Sequence, residues 1–209
     1  MEQKSGKLLA FIMKIGDLFF LNLLYILCCI PVVTVGAATA ALYRCAIKMV
    51  KKEDSYLTGD FFSSFRRNFP KATILFLLTV AIYAVLACDF FLSRRLPPGI
   101  QTVFLSVFVI LTVFFSMIAV FLFPLSGYRE QPVCSVIRQS FLLAFGHVFL
   151  SFTMLFMNAL IPALLLFRPS FFLRILPLIG FLGFSSIAYA NSRLFLSAAD
   201  PDALRKDQD

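Results

Sequence analysis

The amino-acid sequence predicts an all-α, polytopic transmembrane bundle of six spans, with short amphipathic helices lying in the membrane interface. Three observations carry this reading. Apolar residues make up 60% of the 209, against roughly 45–50% in an ordinary globular chain. Charged residues make up only 14%, against roughly 25%, too little polar surface to cover a soluble core of this size. The apolar residues also fall in long runs, and the mean hydropathy is +0.91. Backbone groups in lipid must bond within their own segment, so the runs are read as helices. The alternation of an outer-membrane barrel is absent. Disorder, a secreted disulfide scaffold and a nucleic-acid-binding domain all fit this composition poorly.

Along the chain, Lys4, Lys7 and Lys14 precede the first apolar run, and Ala38-Thr39-Ala40 resembles a signal cleavage site. More apolar stretches come after it, so an uncleaved anchor is expected. Residues 11–50 are mostly apolar, interrupted by Lys14, Asp17, Arg44 and Lys48, with Pro31 in the middle. They form either one kinked helix or a hairpin of two helices, 11–30 and 31–50. Four further runs, 72–93, 100–128, 139–167 and 175–192, come close to or exceed the roughly 20 residues that cross a bilayer core of about 30 Å. Pro97-Pro98-Gly99 and Arg168-Pro169 separate them.

Charge favours the hairpin. Six spans put both termini in the cytoplasm, with 15 of the 19 basic residues inside and four (Arg94, Arg95, Arg168, Arg174) outside. The alternative of five spans leaves 12 inside and 7 outside, a weaker bias in short loops. Arg44 and Lys48 then snorkel to the inner headgroups. The net charge of +8 is the basic excess of cytoplasmic loops rather than a nucleic-acid footprint. The chain reads as a single membrane domain, 1–209. Within it, 1–50 is the hairpin, 51–92 and 100–167 are two span–elbow–span units, and 175–209 is a last span with a cytoplasmic tail.

The elbows come from pattern. In 55–72, Phe61, Phe62, Phe65 and Phe69 fall on one helical face, with Ser63, Arg66 and Arg67 elsewhere and Asp60 placed to cap the first turn. Phe opposite Arg marks a helix lying in the interface. Phe65-Arg66, Phe69 and Ala72 align at constant offset with Ile137-Arg138, Phe141 and Ala144, and each element comes after a Tyr-Arg pair, Tyr43-Arg44 or Tyr128-Arg129. Two units in the same orientation and chance recurrence are both open.

Ionisable and polar groups inside spans are costly and mark function or helix glue. Asp17 pairs locally with Lys14 or takes a solute or coupling role, and Asn22 bonds across helices. Asp89 pairs with Arg94 and Arg95. His147, Ser151 and Asn158 share one face of the fifth span and either line a polar path or join helices. Asn191 and Arg193 read as interface anchors. Gly36, Ala37, Ala38, Ala40 and Ala41 let another backbone approach, most simply that of span one or three, or that of a second copy. The cysteines Cys28, Cys29, Cys45, Cys88 and Cys134 form no CxxC and read as reduced packing residues. One histidine and no HExxH, GxSxG or Walker A pattern leave no metal, cofactor or catalytic site expected.

LNLLY (21–25), IPVVTVGAATAALYR (30–44) and FFSSFRRNF (61–69) resemble the YesL family of bacterial integral membrane proteins of unknown function. The Pro31-x-x-Thr34-x-Gly36 core and its distance from the Phe/Arg elbow carry the resemblance; beyond residue 72 it is one of length and hydrophobic layout. Tyr25 stands where such proteins often carry Trp. The resemblance implies no site residue. Because members are often encoded beside carbohydrate ABC-transporter components, it implies an accessory or regulatory role in sugar uptake. The expectation is a non-catalytic multi-pass protein of the bacterial cell membrane, surrounded by lipid, possessing no nucleic-acid partner, with Arg66 and Arg138 as docking points for permease subunits. The alternative is a small-solute transporter or channel in which Asp17, Asn22, His147 and Asn158 face a cavity. An intramembrane enzyme is a third reading.

Overall fold

A computed structural model describes residues 2–53, 56–167, 174, 177 and 179–201. The described residues are helical with no strand. The helices are α1 (Glu2–Cys29), α2 (Val35–Val50), α3 (Leu57–Ser93), α4 (Pro98–Tyr128), α5 (Val133–Gly146), α6 (Val148–Phe167) and α7 (Phe184–Ala199). A 3-10 turn, Val32–Thr34, leads into α2, and a π-helical turn, Ile179–Gly183, leads into α7.

Residues 11–50 form the hairpin. Pro31 cannot continue α1, and Thr34 Oγ1 donates to the carbonyls of Cys28 and Pro31, pairing acceptors that the helix end leaves open. Tyr25 meets Thr39 and Leu21 packs with Leu42, so the two helices run antiparallel. The second of them is the hub of the molecule. Of the 16 residues in α2, Gly36, Ala37, Ala38, Ala40 and Ala41 are all buried, and α1, α3, α4 and α7 all pack on it. The small-residue stripe therefore serves packing within the chain, against α3 as expected and also against α4.

The first elbow differs from expectation. Instead of a separate interfacial helix it is the start of α3, a continuous helix of 37 residues, about 55 Å long at ~1.5 Å per residue. Pro70 lies inside it without ending it. The physical reason lies in α2: its small side chains let the elbow lie along it. Phe61 is fully buried, and Phe65 and Phe69 pack on Ala37, Ala40 and Ala72. Phe62 stays exposed. Asp60 caps nothing; it forms an ion pair with Lys48 at 2.7 Å. Beyond the elbow α3 pairs antiparallel with α4, through Tyr83–Ser116 at 2.7 Å and the Phe90–Phe108 rings at 5.4 Å.

The second elbow is a helix of its own. The expected span 139–167 breaks at His147, where α5 and α6 meet at 107°. His147 leaves the helical region at φ −131°, ψ 61°, next to Gly146, a poor helix former. Ser151 Oγ then donates to the carbonyls of Ala144 and His147, at 2.8 and 3.0 Å, supplying partners that the broken ladder lost. Ser64, Asn68 and Ala72 on α3 and Val136, Ser140 and Ala144 on α5 are buried, at the same constant offset as the sequence pattern. The two units part company after their elbows: α3 runs on as one helix, whereas the α5–α6 pair bends.

Four helices are long and apolar enough to cross a membrane, Ile12–Cys29, Val32–Val50, Leu57–Ser93 and Gly99–Tyr128, and the bent α5–α6 pair makes a fifth if taken as one span. These four or five are the spans among the described residues. The expected last span, 175–192, falls partly outside the described residues.

Candidate functional site

Charged groups gather where α2 ends. Lys48 binds Asp60. Lys51 reaches the Tyr128 hydroxyl at 3.2 Å and the Asp200 carboxylate at 3.6 Å, while Tyr128 donates to Asp200 at 2.6 Å. Arg44 donates to the Gly127 carbonyl at 3.3 Å, and Arg67 pairs with Glu130 at 2.7 Å. This network ties α2, α3, α4 and the end of α7 together. Burial works against the Lys51 charge, but Tyr128 and Asp200 outweigh it and its pKa is raised. A raised lysine pKa stabilises the fold throughout neutral pH, and the contribution is lost only as pH climbs through the folded value, above the ordinary 10.5. In a double-mutant cycle of Lys48→Ala and Asp60→Ala, read by thermal unfolding in detergent, the pair should show a coupling of about 0.5–1 kcal/mol, as for partly exposed ion pairs. Full additivity would mean that the pair holds nothing.

The candidate intramembrane residues separate. Asp17 is exposed and not paired with Lys14, whose ammonium instead meets the Tyr189 hydroxyl and lies 4.2 Å from the ring centre. Asp89 likewise makes no ion pair with Arg94 or Arg95; all three are exposed. His147 is exposed at the α5–α6 break, so it does not share a helix face with Ser151 and Asn158. Asn22 is fully buried and does join helices. Its amide donates to the carbonyls of Ile179 and Gly180, at 3.4 and 2.5 Å, and its oxygen accepts from the Ser185 N–H at 3.1 Å. It pins α1 to the π turn. Arg66 and Arg138 are exposed.

Asn158 belongs to a constellation that the sequence reading missed. It lies on α6 beside Tyr25 of α1, Thr39 and Tyr43 of α2 and Phe184 of α7, around a cavity of about 220 Å³. Tyr25 and Thr39 oxygens stand 3.4 Å apart. Tyr43 accepts a hydrogen bond of 3.2 Å from Asn191, and Asn158 donates to the Met154 carbonyl at 2.8 Å. Asn191 is therefore no interface anchor but a fully buried group; Arg193 is exposed. In sequence Tyr25 and Tyr43 carry no sign of a shared site, and only the convergence of four helices makes them polar lining. The Pro162 in α6, four residues after Asn158, was the available signal.

These features define a polytopic, helical membrane protein with a polar cavity and, where α2 ends, an ionic cluster. Residues 18–90 match a family described as "Protein of unknown function, DUF624". Over 163 residues, 78% of this chain and 77% of the relative, the sequence is 25% identical to the "Uncharacterized protein YesL" of Bacillus subtilis (strain 168). No solved structure matches. The chain is thus similar to the YesL family, whose function is unknown. The similarity extends beyond residue 72, since 163 aligned residues exceed the stretch that carried the motif.

Proposed function

We propose that the protein is a non-catalytic accessory or regulatory component of a carbohydrate ABC uptake system in the bacterial cell membrane, docking to permease subunits through Arg66 and Arg138. The observation that supports docking is a contrast in partners. Lys48, Lys51 and Arg67 are held in ion pairs, whereas Arg66 and Arg138, at matching positions on two elbows, are exposed with no ion pair among the described residues. An exposed Arg that the fold does not use suits planar, bidentate recognition of a carboxylate on a partner. The link to carbohydrate uptake rests on the family resemblance. Several intramembrane polar groups support a structural rather than a transport role: Asn22 and Ser151 bond helix backbone, and Lys14 meets Tyr189.

Affinity purification from the native membrane tests this. Permease subunits should copurify with the wild type and be lost with Arg66→Ala plus Arg138→Ala, with the variant still folded. Retention of the same partners by the double variant would remove these residues from docking. Reporter fusions at both termini should read cytoplasmic; an external N-terminus would contradict the proposed orientation. A solute carrier is the second reading, favoured by the polar cavity. Sugar flux into vesicles containing only this protein would select it.

A further inference from the structure

The geometry points to the cavity between α1, α2, α6 and α7 as a binding site for a small, uncharged, hydroxyl-bearing molecule. The inference is independent of docking at Arg66 and Arg138. Its first support is size. About 220 Å³ is far more than the roughly 10–15 Å³ on the same measure that one water needs.

The second support is the chemistry of the lining. Among the described residues no Asp, Glu, Lys, Arg or His lines the cavity, so none of them would balance a charged ligand, and an unpaired charge is costly away from water. Polar capacity is nevertheless left open. Thr39 gives its proton to the Val35 carbonyl at 2.7 Å, leaving its oxygen to accept. The 3.4 Å separation from Tyr25 is long for O–H···O, so the Tyr25 hydroxyl is poorly satisfied. Tyr43 accepts from Asn191 and keeps a proton to donate. Pro162 lacks an N–H, so the Asn158 carbonyl four residues earlier loses its helical donor. In membrane proteins such freed backbone is tolerated where it lines a cavity.

Donors and acceptors thus sit together without charge. A hydroxyl matches both, since each offers one donor and two acceptor sites. The tilted Tyr25–Phe184 ring pair, with centres 5.3 Å apart, supplies an apolar wall for the carbon skeleton.

Titration of the purified full-length protein with myo-inositol and with glycerol, using acetate as the charged control, tests the site. The chain has no Trp and six Tyr, two of them in the lining, so tyrosine emission reports directly and the thermal midpoint gives a second readout. At least one of the two polyols should produce a saturable change that acetate does not. Tyr43→Phe should weaken it at least tenfold. Ala188→Leu, which fills the cavity without removing a polar group, should abolish it. Polyols also stabilise proteins by exclusion from their surface, without saturation and in every variant. An equal, linear response in wild type and variants overturns the proposal, and so does a saturable response that survives Ala188→Leu. If Tyr43→Phe does not fold, Tyr25→Phe takes its place with the same expected weakening. Failure here with intact copurification of permease subunits would leave the docking reading standing.

Discussion

Gly127→Ala and Gly36→Ala should each cost most of the protein's folding yield. A Cβ at Gly127 would lie 2.5 Å from the Ala40 carbonyl oxygen and 3.1 Å from the Arg44 nitrogen. At Gly36 it would meet the Ala72 carbonyl oxygen and stand 2.6 Å from Phe76 Cβ. In three of these four contacts the neighbour is backbone, which cannot rotate away, so α2 must separate from α4 or from α3. Overpacking of this kind typically costs about 1–3 kcal/mol, occasionally more. Because α2 touches four other helices, the strain cannot be relieved at one contact without opening another. Gly16 and Gly146, whose added Cβ would meet nothing within 4 Å, are the controls. Gly16→Ala and Gly146→Ala should leave detergent-solubilised protein monodisperse with an unchanged thermal midpoint, while the two interface variants lose several degrees or aggregate. Equal behaviour of all four would show that α2 is not closely packed.

Asn22→Leu should be comparably damaging despite its apolar surroundings. The replacement has nearly the same size, so the loss is one of hydrogen bonds rather than volume. It would leave the Gly180 carbonyl and the Ser185 N–H without their partner. Each buried group so orphaned costs about 1–3 kcal/mol, and lipid offers no water in compensation. Asn22→Asp should be no better: it keeps an acceptor for Ser185 but turns a carboxylate oxygen toward two carbonyls. Limited proteolysis and thermal unfolding would both register the release of the π turn. An Asn22→Leu protein as stable as wild type would mean that α1 is held to α7 by apolar packing alone.

Features set by local sequence were legible, and features set by distant partners were not. Helices 100–128 and 72–93 were clear because hydrophobic length is a local property, and Pro97-Pro98 is a local break. The hairpin at Pro31 was likewise read from charge bias and a single proline. The role of Asn22 was half visible: a buried amide must find partners, but nothing local names Gly180 and Ser185. The fate of the elbows was not visible. A Phe/Arg face fits an interface and a helix groove equally well, and the small residues of α2 that receive Phe61 and Phe65 lie far enough away in sequence to give no periodic signal. The bend within the expected 139–167 span was hidden for a related reason. Gly146-His147 reads as an ordinary interior of an apolar run until Ser151 is seen satisfying the broken ladder.

The sequence by itself determined the solvent of this protein, its helical class and its resemblance to the YesL family, because apolar content and motif spacing do not depend on how helices meet. Only the tertiary structure decided that the elbow of α3 lies against α2 and that the expected Lys14–Asp17 pair does not form. It alone brought Tyr25, Thr39, Tyr43 and Asn158 to one cavity. Each of those outcomes is a choice among partners distant in the chain. Close approach at Gly36 and Gly127 fixes which helices touch, and that contact, not any local preference, selects which polar groups find one another.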